Sequence, residues 1–267
     1  MILLGLAAQG CGASARRDTT VPRRLVDPTQ LAAEIDRAQV VIDGGVGSRA
    51  RLRRAALTEQ LAFRALSEHP RLRHPTIERL SSSARSAATA ALRAAGALSA
   101  IVSAERQLPD WRILQPPPPR RLLGYFHAAA TAYRIPWQYL AAIELVETRM
   151  GRIHGLSPAG AKGPMQFMPA TWAEYGRGSI NDQRGSIMAA ARFLRANGAP
   201  RNIRRALFHY NPSRAYVVAV ESYAHEMLED WHAFYGYYYW QVFYQTTKGT
   251  VLLPVGYPRV PPRRVAG

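Results

Sequence analysis

Cysteine, lysine and acidic residues are all scarce in this sequence of 267 residues, and each shortage removes a class of function. The single thiol, Cys11, cannot build an internal disulfide framework, and with seven scattered histidines it supplies no zinc-ligand set. His225-Glu226-Met227-Leu228-Glu229 lacks the second histidine of a zinc-protease helix and reads as an amphipathic helix. No glycine-rich phosphate loop follows a strand pattern and no serine elbow occurs, which argues against nucleotide and serine-hydrolase chemistry. The short segment Tyr175-Gly176-Arg177-Gly178-Ser179-Ile180-Asn181-Asp182 offers too few oxygens for a calcium loop, so no metal and no cofactor are expected. No run reaches the ~20 apolar residues that a membrane-spanning helix needs.

Arginine, by contrast, is abundant. Thirty-five Lys and Arg oppose 18 Asp and Glu, giving a net charge of +17, and only Lys162 and Lys248 among the basic residues are lysine. The arginine bias is better explained by a GC-rich genome than by bidentate sites, yet the charge itself favours an anionic partner: nucleic acid, acidic lipid or an acidic cell-wall polymer. Nucleic acid fits least, because the arginines spread over the first helical part while the aromatics gather near the C-terminus. Met1 to Ala8 is a short apolar run, and Ala8-Gln9-Gly10-Cys11 resembles the end of a bacterial lipoprotein signal peptide, although no basic stretch precedes it. Gly12 to Arg24 reads as a polar tether. Lipidation at Cys11, and with it an exported protein anchored to the membrane of the cell envelope, is the expectation.

Composition divides the chain into five stretches: 1–24, signal and tether; 25–109, a helical module; 110–121, a proline-rich linker; 122–257, a second domain; 258–267, a tail with too much Pro and Arg to fold alone. Asp27-Pro28 sets a helix start, and Gly44-Gly45 and His69-Pro70 are breaks, so three helices in a small antiparallel bundle are predicted. Gln115-Pro116-Pro117-Pro118-Pro119-Arg120-Arg121 is stiff and divides the chain. Beyond it Trp137, Leu140, Ile143 and Met150 recur at helical spacing after Pro136, and further helices are predicted at about 184–196, 201–209 and 213–234. Residues 235–257, rich in Tyr, Trp, Val and Thr, read as short strands. The class is mainly α, with short β segments near the C-terminus.

The chemistry centres on Glu147. At ~100° per residue it falls between Leu140 and Ile143 on the apolar arc of its helix, where desolvation should raise its pKa and let it hold a proton near neutrality. Glu144 lies near the same arc and is the rival acid; an ion pair with Arg149 or Arg152 is the plain structural alternative. Ser157 to Gln166 is a loop whose glycines allow backbone to approach a ligand closely, and Gln166 carries both a donor and an acceptor. His209-Tyr210-Asn211-Pro212-Ser213 ends one helix, placing a tyrosine hydroxyl where it could orient a carboxylate.

Taken in order, Glu-Thr-Arg-Met-Gly-Arg at 147–152, Ser-Pro-Ala-Gly-Ala-Lys-Gly-Pro-Met-Gln-Phe-Met-Pro-Ala-Thr-Trp at 157–172, Ala-Ala-Ala-Arg-Phe-Leu-Arg-Ala-Asn-Gly at 189–198 and Tyr-Asn-Pro-Ser-Arg-Ala-Tyr-Val at 210–217 resemble the lytic transglycosylases of bacterial cell walls. The first element is similar to the membrane-bound B type and the second also to the soluble type; together they cover about 122–230. The resemblance implies a lysozyme-like helical domain acting on peptidoglycan glycan strands. It implies Glu147 as a single acid and base that cleaves the MurNAc–GlcNAc β-1,4 link to a 1,6-anhydro end, without the second carboxylate of most glycosidases. By the same resemblance Met165 and Gln166 line the sugar cleft and Tyr210 and Asn211 stand near the acid. Arg214 departs from the acidic residue common at its position. Hydrolysis of the same bond, as in a muramidase, and a catalytically silent wall-binding scaffold are the other readings, and other cell-wall enzymes are candidate partners.

Overall fold

The computed structural model describes residues 27–45, 48–101 and 103–265; Cys11 and the expected signal and tether lie outside them. Four helices open the described chain, α1 (Pro28–Asp43), α2 (Arg49–Glu68), α3 (Pro70–Ile77) and α4 (Ser82–Ser99), one more than the three expected. The Asp27 carboxylate accepts hydrogen bonds from the Thr29 and Gln30 amides, so α1 starts at the predicted proline. The additional break falls at Ser81, whose side chain caps α4 while its amide and hydroxyl both donate to Asp36 of α1 at 3.0 and 2.8 Å. A polar serine gripped by a neighbouring helix ends the run, which helical periodicity alone does not reveal.

A short strand β1 (Arg112–Ile113) precedes the prolines, and Pro118 and Pro119 open α5 (Pro119–Tyr133), since a proline suits a first turn. Then come α6 (Trp137–Thr148), β2 (Ile153–His154), α7 (Pro169–Tyr175), α8 (Gln183–Ala196), α9 (Ile203–Tyr210), α10 (Arg214–Glu229) and α11 (Ala233–Tyr239). Next is a hairpin, β3 (Val242–Thr246) with β4 (Gly249–Leu253), in the register Val242 opposite Leu253 and Thr246 opposite Gly249. Last is β5 (Arg263–Arg264), which pairs antiparallel with β4, Leu252 opposite Arg263. The protein is thus mainly helical, with eleven helices among the described residues.

Two expectations about the C-terminal part give way. Residues 235–239 are helical rather than extended: every residue of α11 is buried, and tertiary packing overrides the strand preference of its rings. The tail does not stay unstructured through residue 265, because the edge of β4 supplies backbone partners that a Pro- and Arg-rich segment cannot find by itself.

One apolar cluster holds the fold together and takes side chains from both sides of the proline-rich segment. The alanine face of α4 (Ala84, Ala87, Ala88, Ala91 and Ala94) is buried and lies along α10, small side chains letting the two axes approach closely. Helix α6 is buried around most of its circumference, from Trp137 to Leu145, and is the central helix of the second half. Where α2 meets α11, Glu59 is buried, and desolvation first and the nearby Glu226 carboxylate second push its pKa well up; desolvation likewise pushes the buried Glu226 up to about 8, and Tyr237 donates its hydroxyl to it. Arg152, also buried, donates to the Trp240 and Tyr238 carbonyls at 3.1 and 2.6 Å and lies over the Tyr238 ring, fastening the end of α11 to the turn after α6.

Candidate active site

Helix α6 ends one residue after Glu147, and the turn beyond it has an unusual backbone. Arg149, Met150 and Gly151 take φ values of 54, 60 and 76 in succession, three left-handed residues of which only one is glycine. Conformations of this kind persist only where the surroundings over-determine them. Here Thr148 does so: its hydroxyl donates to the Pro164 carbonyl at 2.6 Å and accepts from the Gly151 amide at 3.1 Å, tying the helix end to the glycine-rich loop.

That loop is a miniature hairpin. Lys162 and Phe167 exchange two backbone hydrogen bonds, both 2.9 Å, around a turn in which Gly163 has φ 76 and Gln166 φ 49. A Cβ at Gly163 would lie 2.0 Å from the Ile180 carbonyl oxygen, so only glycine fits. The Gln166 side-chain amide donates to the Gly163 carbonyl at 2.9 Å, spending its donor on the loop and leaving its oxygen as the group able to accept from a ligand. Met165 does not line a cleft as expected: its side chain is 0 % exposed and belongs to the core, and it serves the site through its carbonyl, which accepts from the Tyr210 hydroxyl at 2.6 Å.

Tyr210 joins four elements. Its ring packs against Phe167 of the loop and Phe193 of α8 and stacks on Tyr216 of α10, with centroids 6.4 Å apart and planes 5° from parallel. Both tyrosines sit by Glu147, and burial together with the Glu147 carboxylate pushes each hydroxyl well above its ordinary pKa. Asn211 caps the end of α9 beside them, its carbonyl accepting from the Ser213 amide at 2.7 Å. No local pattern in the sequence marks Tyr216 as a neighbour of the acid; it lies in the 210–217 motif, but only the packing of α10 on α6 brings its ring beside Glu147.

Of the two acids on α6, Glu147 is partly exposed and Glu144 is 0 % exposed. The Glu147 carboxyl is pushed up to about 7 by desolvation, opposed by the Tyr216 hydroxyl, which is close enough to favour the ionised form although its geometry falls short of a full hydrogen bond. No cation pairs with Glu147 among the described residues. Arg149 turns back to the Leu145 carbonyl at 2.8 Å and Arg152 is committed to α11, so the ion-pair alternative finds no partner. Glu144 is sealed: Gln183 donates to one oxygen, the other has no partner, and burial drives its pKa to about 8. Gly151 makes room for this contact, since a Cβ there would lie 2.6 Å from the Gln183 oxygen and 3.0 Å from Glu144. A buried protonated acid without access to solvent braces α6 against α8, whereas Glu147 combines access with a proton held near neutrality.

The transglycosylase SLT domain family model matches residues 124–229. The chain therefore carries a lytic transglycosylase-like domain, lysozyme-like in fold, that takes in both acids of α6, the glycine-rich loop and the two tyrosines. No curated protein and no solved structure matches the chain.

Proposed function

Proceeding from that domain, which supports lytic transglycosylase action on peptidoglycan, we propose that Glu147 is its single acid and base and that the product ends in 1,6-anhydro-MurNAc. The observation that carries this reading is a partly exposed carboxyl with a pKa near 7, close to the two tyrosines Tyr210 and Tyr216 and with no cation paired to it among the described residues. In its protonated form Glu147 gives its proton to the oxygen between MurNAc C1 and GlcNAc C4 as the C1–O bond breaks. The carboxylate so formed, eased by the Tyr216 hydroxyl, then takes the proton of the MurNAc C6 hydroxyl as that oxygen bonds to C1. The proton taken equals the proton given, and no water is consumed. Work on peptidoglycan implies a place outside the cytoplasm. Among the described residues no helix is long and apolar enough to cross a membrane, and attachment through a lipid on Cys11 belongs to the same proposal.

Mass spectrometry of purified peptidoglycan digested with the full chain tests the reaction. Muropeptides ending in 1,6-anhydro-MurNAc are expected. Reducing-end MurNAc would mean a hydrolase, and wall binding without release would mean a scaffold.

The pH dependence has a definite sign. The acid must enter protonated, so kcat/KM should fall above an apparent pKa of about 7, tenfold per pH unit. Tyr216→Phe removes the neighbour that favours the ionised form. The alkaline limb should then move to higher pH while turnover at pH 6 falls roughly tenfold, for want of help to the carboxylate in the second step. A limb that stays in place would remove Tyr216 from this role.

A further inference from the structure

A cavity of about 700 Å³ lies where the first turns of α2 face the proline-rich segment and the end of α11, and none of the active-site residues lines it. Its volume is within the range of small-molecule and peptide sites. One wall is cationic: Arg49, Arg53 and Arg54 are exposed, and among the described residues none of them has a carboxylate partner or a hydrogen bond. Arg49 and Arg53 are four residues apart and share a helix face. The other wall is apolar, made by Pro116 and Pro119 with the rings of α11.

Tyr239 marks this as more than a patch of surface charge. It is 7 % exposed, it lines the cavity, and its hydroxyl makes no hydrogen bond among the described residues. Its neighbour Tyr238, by contrast, is fully engaged, donating to the Pro117 carbonyl at 2.9 Å. The charges of Arg49, Arg152 and Arg53 act on the Tyr239 hydroxyl, so an unbonded hydroxyl faces the same space as the guanidinium groups of Arg49 and Arg53. Arg49 and Ala50, in the first turn of α2, line the same space, and Ser48 makes no side-chain cap there.

From this geometry we infer that the groove binds a short acidic peptide, its carboxylates on Arg49, Arg53 and Arg54 and its apolar side chains on the proline and tyrosine wall. Planar guanidinium groups match carboxylates in a two-pronged fashion, and the pairing of a charged wall with an apolar one suits a peptide better than a uniformly charged phosphate polymer. The inference rests on the peptidoglycan reading, because that polymer carries short peptides with free carboxylates along its glycan. The groove would then hold the peptide part of the substrate while the cleft at Glu147 takes the sugars.

Calorimetric titration of the full chain with peptides released from peptidoglycan by an amidase tests the inference, beside R49Q/R53Q/R54Q and Tyr239→Phe. Binding should weaken about tenfold or more in the triple variant, whose three sites are exposed and leave the core intact, and severalfold in Tyr239→Phe. On intact peptidoglycan the triple variant should show a raised KM with kcat held. Peptide that fails to bind, or binds the triple variant equally, overturns the inference; so does arginine-dependent binding of polyphosphate in place of peptide. The underlying reading fails separately, as absence of anhydro ends from intact peptidoglycan with the unaltered protein.

Discussion

Glu147→Gln should lower the rate of glycan cleavage about 10³-fold, inside the range that a positioned general acid contributes. The substitution keeps the shape of the side chain and the neutral state that the carboxyl holds below pH 7, so Tyr210, Tyr216 and the turn at residues 149–151 have no reason to move. What it removes is the transferable proton and, in the second step, the base. Stability should hold or rise slightly, since an amide carries no desolvation cost on ionising. Glu144→Gln is the necessary companion. Its carboxyl is sealed against Gln183 and cannot touch a sugar, so cleavage should fall less than about tenfold, through slight movement of α6 alone. Rates of anhydro-end formation and melting curves for both variants decide the matter. Comparable losses in the two, or more than a tenth of the activity left in Glu147→Gln, would assign the acid elsewhere.

The reasons why the apolar setting of Glu147 is legible in the sequence and its surroundings are not are physical. A proline after an aspartate starts α1 for purely local reasons, and the helices at 183–196 and 203–210 arise from caps and glycine stops that act within one turn. Glu147 stands out as a candidate because its apolar helical neighbours are close in sequence. The ranking of the two acids could not: α6 is buried on nearly every side, so no wheel separates the sealed Glu144 from the accessible Glu147. That difference arises from Gln183 and Gly151, which come together only when α8 packs against the turn after α6. Met165 misleads in the same way, a residue of the loop motif whose side chain enters the core while its carbonyl does the local work. The aromatic run at 235–239 misleads by propensity, which yields to tertiary packing where the whole helix is buried.

The loop is the second place where a small change should have a large effect. Gly163→Ala puts a methyl group 2.0 Å from the Ile180 carbonyl oxygen, at a residue whose φ of 76 already disfavours a side chain. The obstructing atom is backbone, so no rotamer change relieves it, and the loop or the segment before α8 must shift. Strain and overpacking together should cost about 2–4 kcal/mol of stability. Activity should fall further than the folded fraction explains, because the same loop holds Thr148 through the Pro164 carbonyl and Tyr210 through the Met165 carbonyl. Both tethers lead to Glu147, and misplacement by ~1 Å is enough to cost about 10²-fold. Gly160→Ala separates strain from clash: it has a comparable φ of 88, but nothing lies within 4 Å of its missing Cβ. That variant should lose only about 1 kcal/mol and keep most of its cleavage rate. Chemical denaturation and anhydro-end assays on the pair measure both effects; equal losses at the two glycines would mean that the close approach of Gly163 to Ile180 does not hold the site in register.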